Sequence, residues 1–365
     1  MARRSSRTAS ARPAAPIRAA KSSRSASPAN NEAHLTRIAV DALGGDRAPD
    51  EVVAGALEAS AGGIDVVLYG PAGLDTQGLA LVEAADRIDM ADKPAEAVRA
   101  KPDSSLVAAV RSVADGNADA VVSAGNTGAM LAAGLLHLRR LPGVQRPAIA
   151  VPIPLRNGVS VLLDGGANAD NRPEHLLQFG YMGSIFAELI LDRPNPTVRL
   201  LSIGEEPEKG DQLTLEAHQL LREAHDLNFE GNAEGRDLLR GAADVVVTGG
   251  FTGNLALKLL EGTIAELLDA LREEISSTTR GKLGGLLIRP AARRLRTRLD
   301  PDTYGGAYLL GLRGLAVIAH GNSGRRAIAN AIRLAARGVE HGVVERLAER
   351  LPVYDRRASE PAPTN

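Results

Sequence analysis

From Thr36 onward the chain alternates short, nearly continuous apolar runs with longer segments of helical period. The apolar runs are TRIAVDAL, IDVVLYG, ADAVVSAG, AIAVPIPL, VSVLLDGG, TVRLLSIG, ADVVVTGG and LAVIAHG. Between them lie SSLVAAVRSVADG, PEHLLQFGYMGSIFAELIL and LTLEAHQLLREAHD, whose apolar positions recur every three or four residues. Strands without polar alternation are buried on both faces, and helices between them supply the cover. The pattern predicts a three-layer α/β domain with a mostly parallel sheet over residues 36–351.

Two of the strand ends repeat each other. DAVVSAGNTGA (119–129) and DVVVTGGFTGN (244–254) each place Asp, three apolar residues, Ser or Thr, a small residue, Gly, any residue and Thr-Gly in the same order, 125 residues apart. A helix that starts directly after such a turn directs free N–H groups and the positive end of its dipole at the sheet rim. Parallel sheets carry their chemistry at the carboxyl ends of strands. Six such ends combine Gly with polar residues: DALGGD (41–46), SAGNTG (123–128), DGGANAD (164–170), IGEEPEKG (203–210), TGGFTGN (248–254) and HGNSG (320–324). Turns favour Gly, Asn and Asp in any protein. Six on what is expected to be a single edge point instead to a site, with the two matching corners as facing cradles for one anion. Lys209, just ahead of a helix among Glu205, Glu206 and Glu208, is either a solvated loop cation or a charge aimed at that anion.

The bulk numbers narrow the chemistry. The 365 residues carry a formal net charge of -1, so nothing draws the whole chain to nucleic acid or to an anionic membrane. Aromatics make up 2% with no Trp, too few for base-stacking platforms. The absence of Cys removes disulfides, thiolate metal sites and Cys nucleophiles. No G-x-G and no Walker A loop occur, which excludes the common dinucleotide and NTP fingerprints. No H-E-x-x-H occurs, and the seven His form no metal-binding pattern. Asp41, Asp46, Asp164 and Asp170 would be the one conceivable carboxylate set for a divalent ion, without specific spacing. No metal and no cofactor is expected.

Outside this frame lie two tails and a basic segment. Residues 1–35, rich in Arg, Ser, Ala and Pro, and residues 352–365 lack the composition of a core and are expected to be disordered. RGKLGGLLIRPAARRLRTRL (280–299) holds seven Lys or Arg and no acid, beside Leu283, Leu286, Leu287, Ile288, Leu295 and Leu299. With the helical segment before it, it forms a protruding basic hairpin at about 265–300, interrupted by Gly284-Gly285 and Pro290. Such a tip suits a membrane surface, an acidic partner or a dimer contact.

VDALGGDRAP, SAGNTGA, DGGAN, GEEPEKG, NFEGNAEGRDLL, GGFTGNLALK, YGGAYLLG and AHGNS together resemble, in this order, the bacterial phosphate acyltransferases of phospholipid synthesis. The resemblance spans roughly residues 36–350. It implies an isocitrate/isopropylmalate dehydrogenase-like fold and the conversion of acyl-[acyl carrier protein] and inorganic phosphate to acyl phosphate and free carrier. It further implies a cytoplasmic homodimer with peripheral membrane contact, handing its product to a membrane glycerol-3-phosphate acyltransferase. No nucleic acid is involved. Carried over residue by residue, Lys209 and Asn254 match the lysine and asparagine implicated in the family's catalysis. Asp41, Gly44, Gly45 and Asp46 match its first glycine motif, Ser123, Asn126 and Thr127 its second, and His320 and Ser323 its HGxS turn.

Gly125, Asp164, Asn168, Gly250, Phe251 and Thr252 complete the phosphate- or substrate-binding set read from these turns. His320 is either a general base or a structural histidine. Arg289, Arg293, Arg294, Arg296 and Arg298 are expected to contact the acidic carrier or lipid headgroups. The chain departs from the family at Gly249 (usually Asp), Asp211 (usually Asn) and Leu43 (usually Met). Other readings of the same residues are a phosphate acetyl- or butyryltransferase using coenzyme A thioesters, a decarboxylating dehydrogenase of the same fold, and a non-catalytic membrane-associated scaffold.

Overall fold

A computed structural model of the chain describes residues 35–155 and 158–352; apart from Leu35 and Pro352, both tails lie outside the described residues. The strands are β1 (Arg37–Asp41), β2 (Asp65–Gly70), β3 (Ala80–Glu83), β4 (Ala120–Ser123), β5 (Ala148–Pro154), β6 (Val159–Leu163), β7 (Val198–Ser202), β8 (Phe229–Glu234), β9 (Val245–Val247), β10 (Ala307–Leu310) and β11 (Leu315–Ile318). The helices are α1 (Asp50–Ser60), α2 (Pro94–Ala100), α3 (Ser105–Ala114), α4 (Thr127–Ala133), α5 (Pro173–Ile190), α6 (Gln212–Glu223), α7 (Gly250–Ser276), α8 (Thr279–Leu299), α9 (Arg325–Glu340) and α10 (Val343–Arg350). All strands join one sheet in the order β3-β2-β1-β4-β11-β10-β5-β6-β9-β7-β8.

Every apolar run read from the sequence forms a strand. Three further strands were not legible: β3, β8 and β10. β3 and β8 are the sheet's two edges and carry exposed positions, so they lack the continuous apolar signal of a buried strand.

The sheet is mostly parallel but contains an antiparallel stretch that the sequence did not reveal. Strands β3, β2, β1, β4 and β11 are parallel to one another, and so are β6, β9, β7 and β8. Between the groups lie three antiparallel pairings, β11 with β10, β10 with β5 and β5 with β6. Three reversals make the two half-sheets run in opposite directions. The six strand ends expected on one edge therefore divide, three at each of two opposite edges.

Both faces are covered. Ile38 and Val40 of β1 point into a core shared with α1, α5, α6, α9 and α10. Ala39 points to the other face, where α2, α3 and α4 pack. Alternation along β5 fixes where α7 sits. Ala148 and Ala150 face the first core, whereas Ile149 packs with Met130 of α4 and Ile153 with Leu257 of α7. Helices α4 and α7 thus lie on the same face of the sheet, and half-buried Val151 touches the clusters of both.

Beyond Leu257, α7 buries no residue, and α8 buries none. The pair projects as the expected hairpin, rooted at Gly250 with its turn at Ser277–Thr278. The expected break does not occur: α8 runs unbroken through Gly284, Gly285 and Pro290. Gly281 and Gly285 have a packing role, since a Cβ would come 2.2 Å from Ile275 O at the first and 2.9 Å from Ile275 Cγ2 at the second, whereas a Cβ at Gly284 would meet open space. One turn apart, they let α8 lie close on the end of α7.

Candidate active site

The first cluster gathers the ends of β1, β4 and β11. Asp41 is buried; its Oδ1 accepts from Ser105 Oγ at 2.5 Å and its Oδ2 from Ser123 Oγ at 2.7 Å. Burial pushes its carboxyl above the ordinary carboxylate value. Ser123 Oγ in turn accepts from Gly125 N at 3.0 Å, and Asp46 N donates to Gly321 O at 2.7 Å. Gly44 is packed against this core: a Cβ there would come 2.4 Å from Asp41 Oδ2 and 2.9 Å from Gly125 N. Asn126 caps α4 through Oδ1, accepting from Ala129 N at 3.0 Å, while its Nδ2 faces the carbonyl oxygens of Asp89, Met90 and Asp92. The side chains of Asp41, Ser123 and Asn126 therefore build the loops and leave no polar atom over for a ligand. Thr127 is exposed beside them. Ser323 Oγ is buried and takes no protein partner among the described residues.

The second cluster gathers the ends of β6, β9 and β7 at the opposite edge. Asp164 is fully buried, and five N–H groups converge on it. Oδ1 accepts from Ile149 N, Gly166 N and Ala167 N at 2.9–3.0 Å; Oδ2 accepts from Asn168 N and Asn168 Nδ2 at 2.9 and 2.8 Å. Asn168 Nδ2 also donates to Pro147 O at 2.8 Å. Here again Asp164 and the Asn168 amide nitrogen shape the loop, and Asn168 Oδ1 alone of these polar atoms takes no hydrogen bond among the described residues. Onto that loop packs the first turn of α7, and two glycines make the approach possible. A Cβ at Gly250 would come 2.3 Å from Asn168 O, and one at Gly253 would come 2.0 Å from Asp164 O.

What this packing leaves open is the mouth of α7. Gly250 N donates to Asn171 Oδ1 at 3.0 Å, but Phe251 N and Thr252 N take no protein acceptor among the described residues. Asn254 is exposed, its side chain resting on Gly166 with no hydrogen-bond partner among those residues. Phe251 and Thr252 are exposed as well. Lys209 lies on the loop after β7, the strand beside β9. It is exposed and forms no ion pair among the described residues, so the neighbouring glutamates do not hold it. Helix α6 starts three residues later, capped by Asp211 Oδ1, which accepts from Thr214 N at 2.8 Å. The family departure at 211 thus preserves a cap. At 249 the lost carboxylate is compensated differently: Gly249 occupies the N-cap of α7, and Asn171 from the adjoining loop supplies the acceptor. Leu213 of α6 lies within 3.7 Å of where a Gly249 Cβ would sit, which brings the starts of α6 and α7 together.

The expectation of two corners facing one anion needs correction. They end antiparallel half-sheets and leave by opposite edges, and several of their amides are already bonded. A side-chain contact reaches from the first cluster to α7: His320 Nε2 lies 3.5 Å from Glu261 Oε1. Glu261 is seven residues beyond Asn254, roughly 10 Å along the helix axis. The four carboxylates considered as a metal set divide between the clusters, Asp41 and Asp46 from Asp164 and Asp170. Sequence reasoning missed Glu261 and Asn171, because neither stands in a pattern that announces its distant partner. On α8, Arg289, Arg293, Arg294, Arg296 and Arg298 are all exposed, along one helix with Leu283, Leu286, Leu287 and Ile288. No helix among the described residues is long and apolar enough to cross a membrane.

Comparison with known proteins adds an independent line. A family model described as a fatty acid synthesis protein matches residues 36–346. The chain is 50% identical over 323 residues to the phosphate acyltransferase of Thermosynechococcus vestitus, covering 85% of this chain and 94% of that protein. It is 48% identical over 329 residues to the phosphate acyltransferase of Desulfitobacterium hafniense, covering 87% and 98%. Among solved structures, a Streptococcus pyogenes phosphotransacetylase superposes with a TM-score of 0.56 at 18% identity, over 84% of this chain and 94% of that one. A branched-chain phosphotransacylase from Enterococcus faecalis V583 gives 0.55 at 17%, over 84% and 100%. At such identities the structural likeness is one of fold.

Proposed function

The chain belongs to the phosphate acyltransferase family and is an enzyme, and from that premise we propose that it moves a long-chain acyl group from acyl carrier protein to inorganic phosphate at the mouth of α7. A phosphate oxygen attacks the thioester carbonyl, the C–O bond forms, the C–S bond breaks, and the carrier thiol leaves. Phosphate is itself the nucleophile, so no covalent enzyme intermediate is needed. The protein's task is to hold the two reactants together and to stabilise the tetrahedral oxyanion.

One observation carries this reading. Around the start of α7 the free N–H groups of Phe251 and Thr252, the unpartnered Asn254 amide and the unpaired Lys209 ammonium all stand at neighbouring strand ends. Lys209 supplies charge and Asn254 an amide donor, backed by the positive end of the helix dipole. Asp41, Gly44, Gly45, Asp46, Ser123, Gly125 and Asn126 then serve the opposite edge as supporting structure. His320, tied to Glu261 well up α7 from Asn254, anchors the helix rather than accepting a proton from the reactants.

The exposed arginines of α8 receive the acidic carrier, and the apolar residues among them rest against the membrane surface, close to the glycerol-3-phosphate acyltransferase that consumes the product. The active species is a homodimer.

The test is release of carrier thiol from long-chain acyl carrier protein with and without phosphate, run beside acetyl-coenzyme A. Loss of one oxyanion donor costs on the order of 3 kcal/mol, about a hundredfold in rate. Lys209→Ala and Asn254→Ala should each show such a loss while melting like the parent protein. Either variant keeping more than half the rate refutes its assignment. Faster turnover of acetyl-coenzyme A would favour the short-chain reading, and no phosphate-dependent release at all would favour the scaffold.

A further inference from the structure

NFEGNAEGRDLL (228–239) is among the motifs that resemble the family. It contains β8, the strand at the sheet edge beyond β7. The pairing of these two strands slips between Val198↔Phe229 and Leu200↔Asn232, so that Arg199 stands opposite both Glu230 and Gly231. This is a β-bulge, and Gly231 adopts a φ of 91° within it. In a regular strand residues three apart point to opposite faces. The extra residue brings Phe229 and Asn232 to the same side, and both meet one side chain there, His218 of α6. The His218 ring lies edge-on to Phe229 with centroids 5.2 Å apart, and its Nδ1 is 2.8 Å from Asn232 Oδ1.

The other end of Asn232 reaches the lysine loop. Its Nδ2 donates to Glu206 O at 2.9 Å. That orientation leaves Oδ1 as acceptor and assigns the ring proton of His218 to Nδ1. Glu206 O also accepts from Lys209 N at 3.1 Å, closing a four-residue turn with Pro207 in its second position. Ser202 Oγ donates to Lys209 O at 2.8 Å, so the lysine's backbone is held on both sides. Its stem rests on Gly204, where a Cβ would come 2.9 Å from Lys209 Cγ. A buried end (Asn232 is 2% and His218 6% exposed) is therefore wired through one carbonyl to an exposed cation.

We infer that Asn232, oriented by His218, is a positioning residue for Lys209: the pair fixes the Glu206 carbonyl and with it the place from which the ammonium reaches the reacting centre. The inference rests on Lys209 acting in the transfer. Asn232 touches no substrate; it works through the turn.

A double-mutant cycle on the full-length protein tests it, read as the rate of phosphate-dependent thiol release from acyl carrier protein. Asn232→Ala should lower kcat/KM about tenfold or more, since misplacement by about an ångström costs up to about a hundredfold. In the Lys209→Ala background the same change should cost nothing further. A residue that only supports the fold would lower both backgrounds equally. His218→Gln, which keeps a donor for Asn232, should retain more activity than His218→Leu. If Asn232→Ala does not fold, Gly231→Ala replaces it, because its Cβ enters open space and disturbs only the bulge; it should show the same dependence on Lys209. Unchanged rates, or losses that multiply with Lys209→Ala, overturn the inference. An unimpaired Lys209→Ala enzyme overturns the parent reading as well, and is told apart by that single variant.

Discussion

Replacing Asp164 with Asn is a nearly isosteric change at the place where the second cluster is held together. The carboxylate receives five N–H groups, three on Oδ1 and two on Oδ2. An amide offers one acceptor oxygen. With that oxygen in the Oδ1 position, the new NH2 confronts Asn168 N and Asn168 Nδ2 at 2.9 and 2.8 Å. Asn168 cannot turn its own oxygen inward without giving up its bond to Pro147 O. At least one buried donor is orphaned in either arrangement, and the remaining bonds lose their charge assistance. An orphaned buried group costs about 1–3 kcal/mol, and with the weaker remaining bonds the total is about 2–4 kcal/mol.

For a folded unit of this size that corresponds to a fall of roughly 3–6 °C in Tm. Because Gly250 and Gly253 rest directly on the backbone of this loop, the start of α7 should shift and phosphate-dependent thiol release should fall with stability. Thermal melts followed by circular dichroism, with Asp170→Asn in the exposed part of the same loop as control, measure the first effect. An Asp164→Asn protein that melts within about 1 °C of the parent would refute the claim that this carboxylate organises the site.

His175 gives a pH-dependent prediction. Its Nδ1 accepts from Arg172 N at 3.1 Å at the start of α5, and burial, with Arg146 nearby, lowers its pKa below the usual 6.5. The unfolded chain then binds the proton more readily, so stability is lost as pH falls below about 6.5 towards the folded value. Melting curves of His175→Gln should lose that slope, and an unchanged slope would exclude His175 as its source. Asp41 has the opposite sign: its folded pKa is raised, so its contribution weakens as pH rises through that value, and Asp41→Asn should flatten the change. Gly249→Asp, which restores the family carboxylate, should improve the α7 cap by a few tenths of a kcal/mol. It should also raise the KM for phosphate by adding negative charge at the helix mouth; a lower KM would contradict the anion site there. Charge reversal at Arg293 and Arg294 should weaken carrier affinity and spare liposome binding; loss of liposome binding alone would assign these arginines to lipid headgroups instead.

The fold class and the chemical turns were legible because both depend on local signals. Continuous apolar runs such as ADVVVTGG and the Gly-Thr corners register in the chain whatever surrounds them. The relation between those corners was not legible. Strand direction across a sheet is set by which strands pair, and nothing local in YGGAYLLG or AIAVPIPL records that β10 and β5 reverse the sheet between the halves. The same limit hid Asn171 beneath Gly250, Glu261 against His320 and the bulge that turns Asn232 towards His218, since each joins residues far apart in sequence. Local composition decided what each turn is able to bind. Only tertiary packing decided which backbone and side-chain groups were already taken, because a buried donor or acceptor must find a partner and whatever stays unpaired at the rim is left for a ligand.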